Sequence, residues 1–211
     1  MLQQTQVARV VPRYLAWMKR WPTASALAAA DRADVLREWI GLGYNARAVR
    51  LHGACVVVAG EGWPSDLSSL PGVGPYTAAA VGLFAFRRPV LPVDVNVRRV
   101  LERSGFAVGR VTSDLGQALM ELGATVCTAR RPRCGACPLA RECPGPAPVA
   151  AARRQGRFEG SNRWVRGRVV AALAGVEPWP DIERERVWTA VDGLVRDGLV
   201  VRAADGSLRL P

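Results

Sequence analysis

Val7, Val10, Val11, Tyr14, Leu15, Met18 and Trp21 recur at three- and four-residue steps, which predicts a helix with one apolar stripe. Pro12 lies inside that stripe and predicts a kink or a restart. Pro22–Thr23 breaks the pattern, and Thr23 can cap the short helix that follows. Asp31 is a good cap for a helix over Ala33–Ile40 that Gly41 and Gly43 end. Ala46–Ala59 predicts another helix, very apolar towards its end. Pro64, Pro71, Gly72 and Gly74 then punctuate the chain before a small-residue helix over Thr77–Phe86. A helix follows Asp94 through Arg103, and Ser113 can cap one running towards Val126. After a Pro-, Ala- and Arg-rich stretch the character changes. Helices through Trp164–Leu173 and Glu183–Arg196 precede two short apolar segments, Leu199–Arg202 and Leu208–Leu210, around the turn Ala204–Asp205–Gly206. Helix, helix, hairpin is a small winged-helix-like α+β unit at the end of a mainly α chain; the competing reading is a cap with no function of its own.

Composition narrows the chemistry. The chain has 211 residues, 49% of them hydrophobic, enough for one domain with an appendage or for two small ones. Against 18 acidic residues stand 29 basic ones, a formal net charge of +11 that favours a polyanionic partner. Lys19 is the only lysine and His52 the only histidine, so Schiff-base chemistry and histidine-based metal or triad chemistry have almost nothing to work with. No apolar run approaches the ~18 residues needed to span a bilayer, and the first residues lack the basic and apolar regions of a signal peptide. The expectation is a cytoplasmic protein, with no membrane partner, in which five cysteines serve metal binding or burial rather than disulfides.

Four of those cysteines, Cys127, Cys134, Cys137 and Cys143, fall within seventeen residues at the spacing C-x6-C-x2-C-x5-C. Four thiolates so close suit one soft metal centre, and a single C-x2-C pair flanked on each side is nearer to a 4Fe–4S arrangement than to paired zinc knuckles. Cys55, in an apolar run, reads as a small buried hydrophobe. From Ala129 to Arg168 ten arginines face only Glu142 and Glu159, which predicts a phosphate-binding surface. The turn Leu70–Pro71–Gly72–Val73–Gly74–Pro75–Tyr76–Thr77–Ala78 joins two helices, and its glycines allow positive φ and close approach of a ligand to backbone N–H groups. Asp94 reads first as a helix cap. Beside a DNA-binding hairpin, a carboxylate there can also stabilise a cationic sugar while a glycosidic bond breaks.

Taken together, MLQQTQV at Met1–Val7, GLGYNARAVRLH at Gly41–His52, LPGVGPYTA at Leu70–Ala78, DVNVRRVL at Asp94–Leu101, MELGA at Met120–Ala124 and the cysteine spacing resemble the helix-hairpin-helix DNA glycosylases with an iron–sulfur cluster, the endonuclease III superfamily. Within it they are most similar to the enzymes that remove adenine opposite 8-oxoguanine. The resemblance covers about residues 1–143. It implies a helix-hairpin-helix core over 1–103, an iron–sulfur region over 104–146, a linker over 147–160 and the winged-helix-like tail over 161–211. It also implies a base-excision enzyme that acts as a monomer on double-stranded DNA bearing adenine mispairs, in a bacterial cytoplasm at the nucleoid. Adenine would be flipped out and its N-glycosidic bond hydrolysed. Asp94 would stabilise the oxocarbenium-like transition state with Asn96 assisting. Gly72, Val73, Gly74 and Thr77 would hold the DNA backbone. Gln3 and Gln4 would probe the base stack, and Tyr44 would wedge beside the oxidised guanine. The four cysteines of the cluster would ligate 4Fe–4S. Tyr76 stands where the lyase members carry a Schiff-base lysine, which implies a monofunctional glycosylase.

Four departures accompany the resemblance. The family's leaving-group glutamate stands two residues before the position of Met1, so Met1 is expected to be an internal methionine of a longer protein. A helix is missing between Arg103 and Ala118. Val95 replaces a usual glycine and is expected to crowd Asp94. The family's domain for 8-oxoguanine recognition does not fit into 161–211, which leaves that discrimination poor or assigns it to the tail. Two further readings stay open: a catalytically impaired DNA-binding iron–sulfur module, and a thymine/uracil mismatch glycosylase.

Overall fold

The computed structural model describes residues 1–2, 5–145 and 156–211. Nine α-helices and a two-stranded hairpin are seen among them. They are α1 (Val7–Arg20), α2 (Ala24–Ala28), α3 (Arg32–Trp39), α4 (Ala46–Glu61), α5 (Pro75–Phe86), α6 (Val95–Ser104), α7 (Ser113–Glu121), α8 (Asn162–Leu173) and α9 (Arg184–Arg196), with β1 (Val201–Arg202) and β2 (Leu208–Arg209). Among the described residues no helix is long and apolar enough to cross a membrane.

Local chemistry explains most of these boundaries. The Thr23 hydroxyl accepts from Ala26 N at 3.1 Å and an Asp31 oxygen from Ala33 N at 2.7 Å, so both caps act where the sequence places them. Two expectations change. α1 passes through Pro12 without restarting. The cap of α7 is Thr112, whose hydroxyl accepts from Leu115 N, while Ser113 donates instead to the Leu83 carbonyl in α5. α7 then widens into a π-helical segment, Leu122–Val126, before the first cysteine of the cluster.

The chain divides into two compact units, each built around its own apolar contacts. The first comprises residues 1–64, 70–72 and the described residues from 156 to the end. Its core packs Val10, Trp17, Trp21, Leu27, Val35, Leu36, Trp39 and Ala48 in one cluster with Val165, Val169, Val191 and Leu194 of α8 and α9 and with Leu210 beyond β2. Trp17 sits edge-on to both Trp21 and Trp39, with centroids 4.7 and 5.6 Å away. The single stripe expected on α1 is split: Val10, Trp17 and Trp21 are buried, whereas Val7, Val11, Tyr14, Leu15 and Met18 are exposed. The buried line lies at one edge of the apolar stripe, where Trp17 reaches Trp39. β1 and β2 pair antiparallel, Val201 opposite Arg209, across the expected turn.

The second unit holds residues 65–69 and the chain from Val73 through the cysteines. Val97 and Val100 of α6 and Leu119 of α7 are its buried centre, with Leu91, Leu115, Cys127 and Leu139 packed around them. α6 is the spine of this unit.

Because Leu194 belongs to the same core as α3 and α4, Leu194→Ala should destabilise the first unit by about 2–5 kcal/mol. Amide hydrogen exchange in α3 and α4 should then accelerate along with that in α8; acceleration confined to α8 and α9 would show that the two parts unfold separately.

Candidate functional site

Asp94 is the N-cap of α6, and its environment is defined atom by atom. Oδ1 accepts from Asn96 N at 2.9 Å and Val97 N at 2.7 Å, and Oδ2 accepts from Asn96 Nδ2 at 3.0 Å. Three N–H donors therefore hold the half-buried carboxylate in one rotamer at the positive end of a helix. Val95, expected to crowd it, is exposed. Asn96 is held in turn, because Arg99 Nη2 donates to its Oδ1 at 2.9 Å.

Arg99 carries this chain of contacts to the cysteines. Buried to 7% exposure, it also donates from Nη2 to the Gly123 carbonyl at 2.7 Å and from Nε to the Cys127 carbonyl at 2.8 Å. One turn later Arg103, 5% exposed, donates to the carbonyls of Thr128 at 2.8 Å and Ala129 at 3.0 Å. Its Nη1 lies 3.6 Å from Cys127 Sγ, and the Cys143 thiol donates to its carbonyl at 3.4 Å. Gly123 makes the close approach possible: a Cβ there would stand 2.9 Å from Asn96 Cβ and 3.0 Å from its carbonyl oxygen. Sequence reasoning missed Arg99, Arg103 and Gly123 as site residues. The signal was present as two arginines four residues apart on α6 and as the glycine of MELGA, but nothing local says that those arginines point inward.

Cys127, Cys134, Cys137 and Cys143 form no disulfide. Among the described residues no group of three or more histidine, cysteine, aspartate or glutamate side chains is drawn together at metal-binding distance. The donor chemistry nevertheless fits an anionic centre. Two buried guanidinium groups lie along this segment, neither forms an ion pair with a carboxylate among the described residues, and Arg103 Nε is buried without a hydrogen-bond partner. Buried cations of this kind call for a nearby anion, and a thiolate-bound iron–sulfur centre is one whose sulfurs accept hydrogen bonds.

Tyr76 is in the first turn of α5. Burial, and secondarily the negative charge of Asp94, push its phenol above the ordinary tyrosine value, so it remains a neutral hydroxyl at physiological pH. Before it, Gly72 has φ +76°, and a Cβ there would stand 2.7 Å from Arg50 Cβ. Gly74 does not share the expected left-handed backbone: its φ is −85°, it serves as N-cap of α5, and a Cβ would meet nothing within 4 Å. Val73 and Thr77 are half-buried next to these glycines.

Tyr44 belongs to the first unit. Gly41, Gly43 and Tyr44 all have positive φ, at +91°, +72° and +50°, which for tyrosine is a strained conformation. Trp39 Nε1 and Arg47 Nη2 clamp the turn by donating to the Gly43 carbonyl at 3.0 and 3.2 Å. Gln3 and Gln4 lie outside the described residues; their neighbour Thr5 donates to the Leu42 carbonyl at 3.2 Å in the same turn. His52 is buried with Nε2 donating to the Ala30 carbonyl at 3.1 Å, a tie between α4 and the end of α2. Within the arginine run several members are engaged. Arg133 donates to Thr125 O, Arg157 pairs with Glu159, Arg166 with Asp197 and Arg168 with Glu177; Arg130, Arg131 and Arg141 are exposed. Arg153 and Arg154 lie outside the described residues.

Two family models match the chain. The one described as HhH-GPD superfamily base excision DNA repair protein covers residues 1–124, and the one described as iron-sulfur binding domain of endonuclease III covers residues 127–143. The adenine DNA glycosylase of Mycolicibacterium smegmatis is 45% identical over the whole chain, which spans 84% of that protein. The adenine DNA glycosylase of Mycobacterium tuberculosis is 42% identical over the whole chain, which spans 83% of it. A trapped endonuclease III–DNA covalent intermediate superposes with a TM-score of 0.56 at 25% identity, over 68% of this chain and 78% of that one.

Two predictions follow from these environments. The Tyr76 phenol and the Cys55 thiol, the latter raised by burial, are both held neutral by the fold. Their contribution to stability is complete below the ordinary values of 10.0 and 9.0 and is lost as pH climbs past them. Thermal midpoints should therefore fall on the alkaline side, and Tyr76→Phe should flatten the upper part of that fall. The two hairpin glycines should separate fold from binding. Gly72→Ala should destabilise by about 1 kcal/mol or more, whereas Gly74→Ala should melt like the parent yet bind duplex DNA less tightly if this backbone meets a phosphate.

Proposed function

The chain belongs to the HhH-GPD superfamily of base excision DNA repair proteins, and we propose that it is a monofunctional glycosylase that hydrolyses the N-glycosidic bond of adenine opposite 8-oxoguanine or guanine. It carries an iron–sulfur binding domain whose cofactor is a 4Fe–4S cluster. The observation that supports the reaction best is the Asp94 carboxylate, pinned by three N–H donors at the start of α6.

In this reading the duplex reaches the Gly72–Thr77 turn, whose backbone takes the phosphates, and adenine leaves the stack. The C1′–N9 bond breaks with its electrons going to the base, and positive charge develops on the sugar. Asp94 offers a fixed negative charge to that cation and needs no reorganisation, because its other hydrogen bonds are already made. Asn96 keeps the carboxylate in this rotamer, and Arg99 keeps Asn96 in place. Water then adds at C1′ and gives up a proton, the departing adenine anion takes up a proton, and an abasic site is left. Tyr76 has no amine with which to form a Schiff base, so the strand is not cut by the protein itself.

Cys127, Cys134, Cys137 and Cys143 would hold the cluster. When bound, it would supply negative charge near the buried guanidinium of Arg103, whose Nη1 lies 3.6 Å from Cys127 Sγ. Tyr44, with Gln3 and Gln4, would read the stack around the opposing base. The protein would act as a monomer in the cytoplasm. The mycobacterial relatives matched over the whole chain carry the name adenine DNA glycosylase, which favours adenine over a thymine or uracil mismatch as the substrate.

The test uses the full-length protein on duplexes carrying A opposite 8-oxoguanine, A opposite G and T opposite G, with alkaline cleavage of abasic sites as the readout. Asparagine caps helices as well as aspartate does, so Asp94→Asn should keep the fold and visible iron–sulfur absorbance while excision of adenine falls by at least about 100-fold. Borohydride should trap no covalent protein–DNA adduct. A parent-like rate for Asp94→Asn, or excision of thymine in preference to adenine, would overturn the proposal.

A further inference from the structure

Aromatic and cationic side chains alternate in a row that starts in the core of the first unit and ends at its surface. Trp39, 2% exposed, lies 5.4 Å from the Arg47 guanidinium, which in turn stands 5.6 Å from the Tyr44 ring. On the far side of Tyr44 comes Arg163, in the first turn of α8 and 119 residues away in sequence, whose Nη1 donates to the Tyr44 hydroxyl at 3.2 Å. The same guanidinium lies 6.0 Å from the Phe158 ring and donates from Nη2 to the Gly156 carbonyl at 3.5 Å. Arg163 forms no ion pair with a carboxylate among the described residues, so its charge is not cancelled locally. Tyr44 is 43% and Phe158 57% exposed, so both aromatic side chains that Arg163 touches reach the surface.

We infer that Arg163 is a positioning residue for Tyr44, and that α8 is thereby part of the surface that meets the DNA around the base opposite the excised adenine. This rests on the reading of Tyr44 as a DNA-contacting wedge. The strained turn, clamped through the Gly43 carbonyl, sets where the Tyr44 backbone stands, but it does not set the side-chain torsions. Arg47 lies over the ring, and a donor at the phenol oxygen adds a second restraint that comes from the C-terminal helices. Rings interleaved with guanidinium groups suit a nucleic-acid strand, because every base offers a face to stack on and arginine adds cation–π attraction and phosphate contact. The mycobacterial matches extend over α8, whereas the endonuclease III match covers 68% of the chain. The tail that the sequence suggests for discrimination at the opposing base is thus connected to Tyr44 through one side chain.

The experiment measures equilibrium binding of the cluster-containing full-length protein to a duplex with 2′-fluoro-2′-deoxyadenosine, which resists excision, opposite 8-oxoguanine, and to the same duplex with guanine instead. Arg163→Ala should weaken binding to the 8-oxoguanine duplex about fivefold to tenfold, and to the guanine duplex less, with most of the loss restored in Arg163→Lys, which keeps a donor. Tyr44→Phe, which keeps the ring and removes the acceptor, should show the same loss, and adding Arg163→Ala to it should cost nothing more. If Arg163→Ala melts well below the parent, Arg163→Met, which keeps the stem and has no donor, takes its place. Equal losses on both duplexes that persist in Tyr44→Phe with a shallower salt dependence would make Arg163 a plain phosphate contact and overturn the proposal. No loss for Arg163→Ala beside a clear loss for Tyr44→Ala would also overturn it. No loss even for Tyr44→Ala would instead remove the wedge reading on which it stands.

Discussion

A buried guanidinium must find partners for its N–H groups inside the fold, and on α6 that requirement organises the whole second unit. Arg99 satisfies it with the carbonyls of Gly123 and Cys127 and with the side chain of Asn96. One arginine thus fixes the exit of the π-helical segment, the start of the cysteine loop and the residue that orients Asp94. Stripping one partner from such a group leaves a charged donor unsatisfied in the interior, which typically costs about 1.5–3 kcal/mol. Arg103 repeats the arrangement one turn on, towards Thr128, Ala129 and the thiols. Among the described residues neither pairs with a carboxylate. The candidate catalytic carboxylate and the start of the cysteine segment therefore share one helix and one set of hydrogen bonds.

The first unit solves a different problem. Three tryptophans and the valines of α8 and α9 make a single apolar core, so the C-terminal helices are part of the packing of the N-terminal ones. On the surface of that unit, the turn at residues 41–44 carries three left-handed residues and is held by side chains from α3 and α4. Tyr44 can be strained there because the clamp on Gly43 and the contact from Arg163 over-determine its position.

Much of this was legible in advance wherever a local rule applies. Thr23, Asp31 and Asp94 cap their helices as expected, the hairpin falls around Asp205, and the four clustered cysteines coincide with the iron–sulfur family match. The expectations that changed turn on non-local packing. Periodicity showed that α1 is amphipathic but not which edge of its stripe meets Trp39. Gly72 and Gly74 look equivalent in a G-x-G turn, yet only Gly72 has the positive φ and the Arg50 side chain against it. The arginine-rich stretch read as one charged face because composition carries no direction; in the fold Arg133, Arg166 and Arg168 are engaged within the protein.

By itself the sequence determined the helices, most of their caps, the paired-glycine turn, the clustered cysteines and the family, since these depend on residues within a turn or two of each other or on motifs read in order. Only the tertiary structure decided that Arg99 connects Asn96 to Cys127 and that Arg163 reaches Tyr44. The reason is physical: a buried donor takes whatever acceptor the packing brings to it, and that acceptor can lie anywhere along the chain.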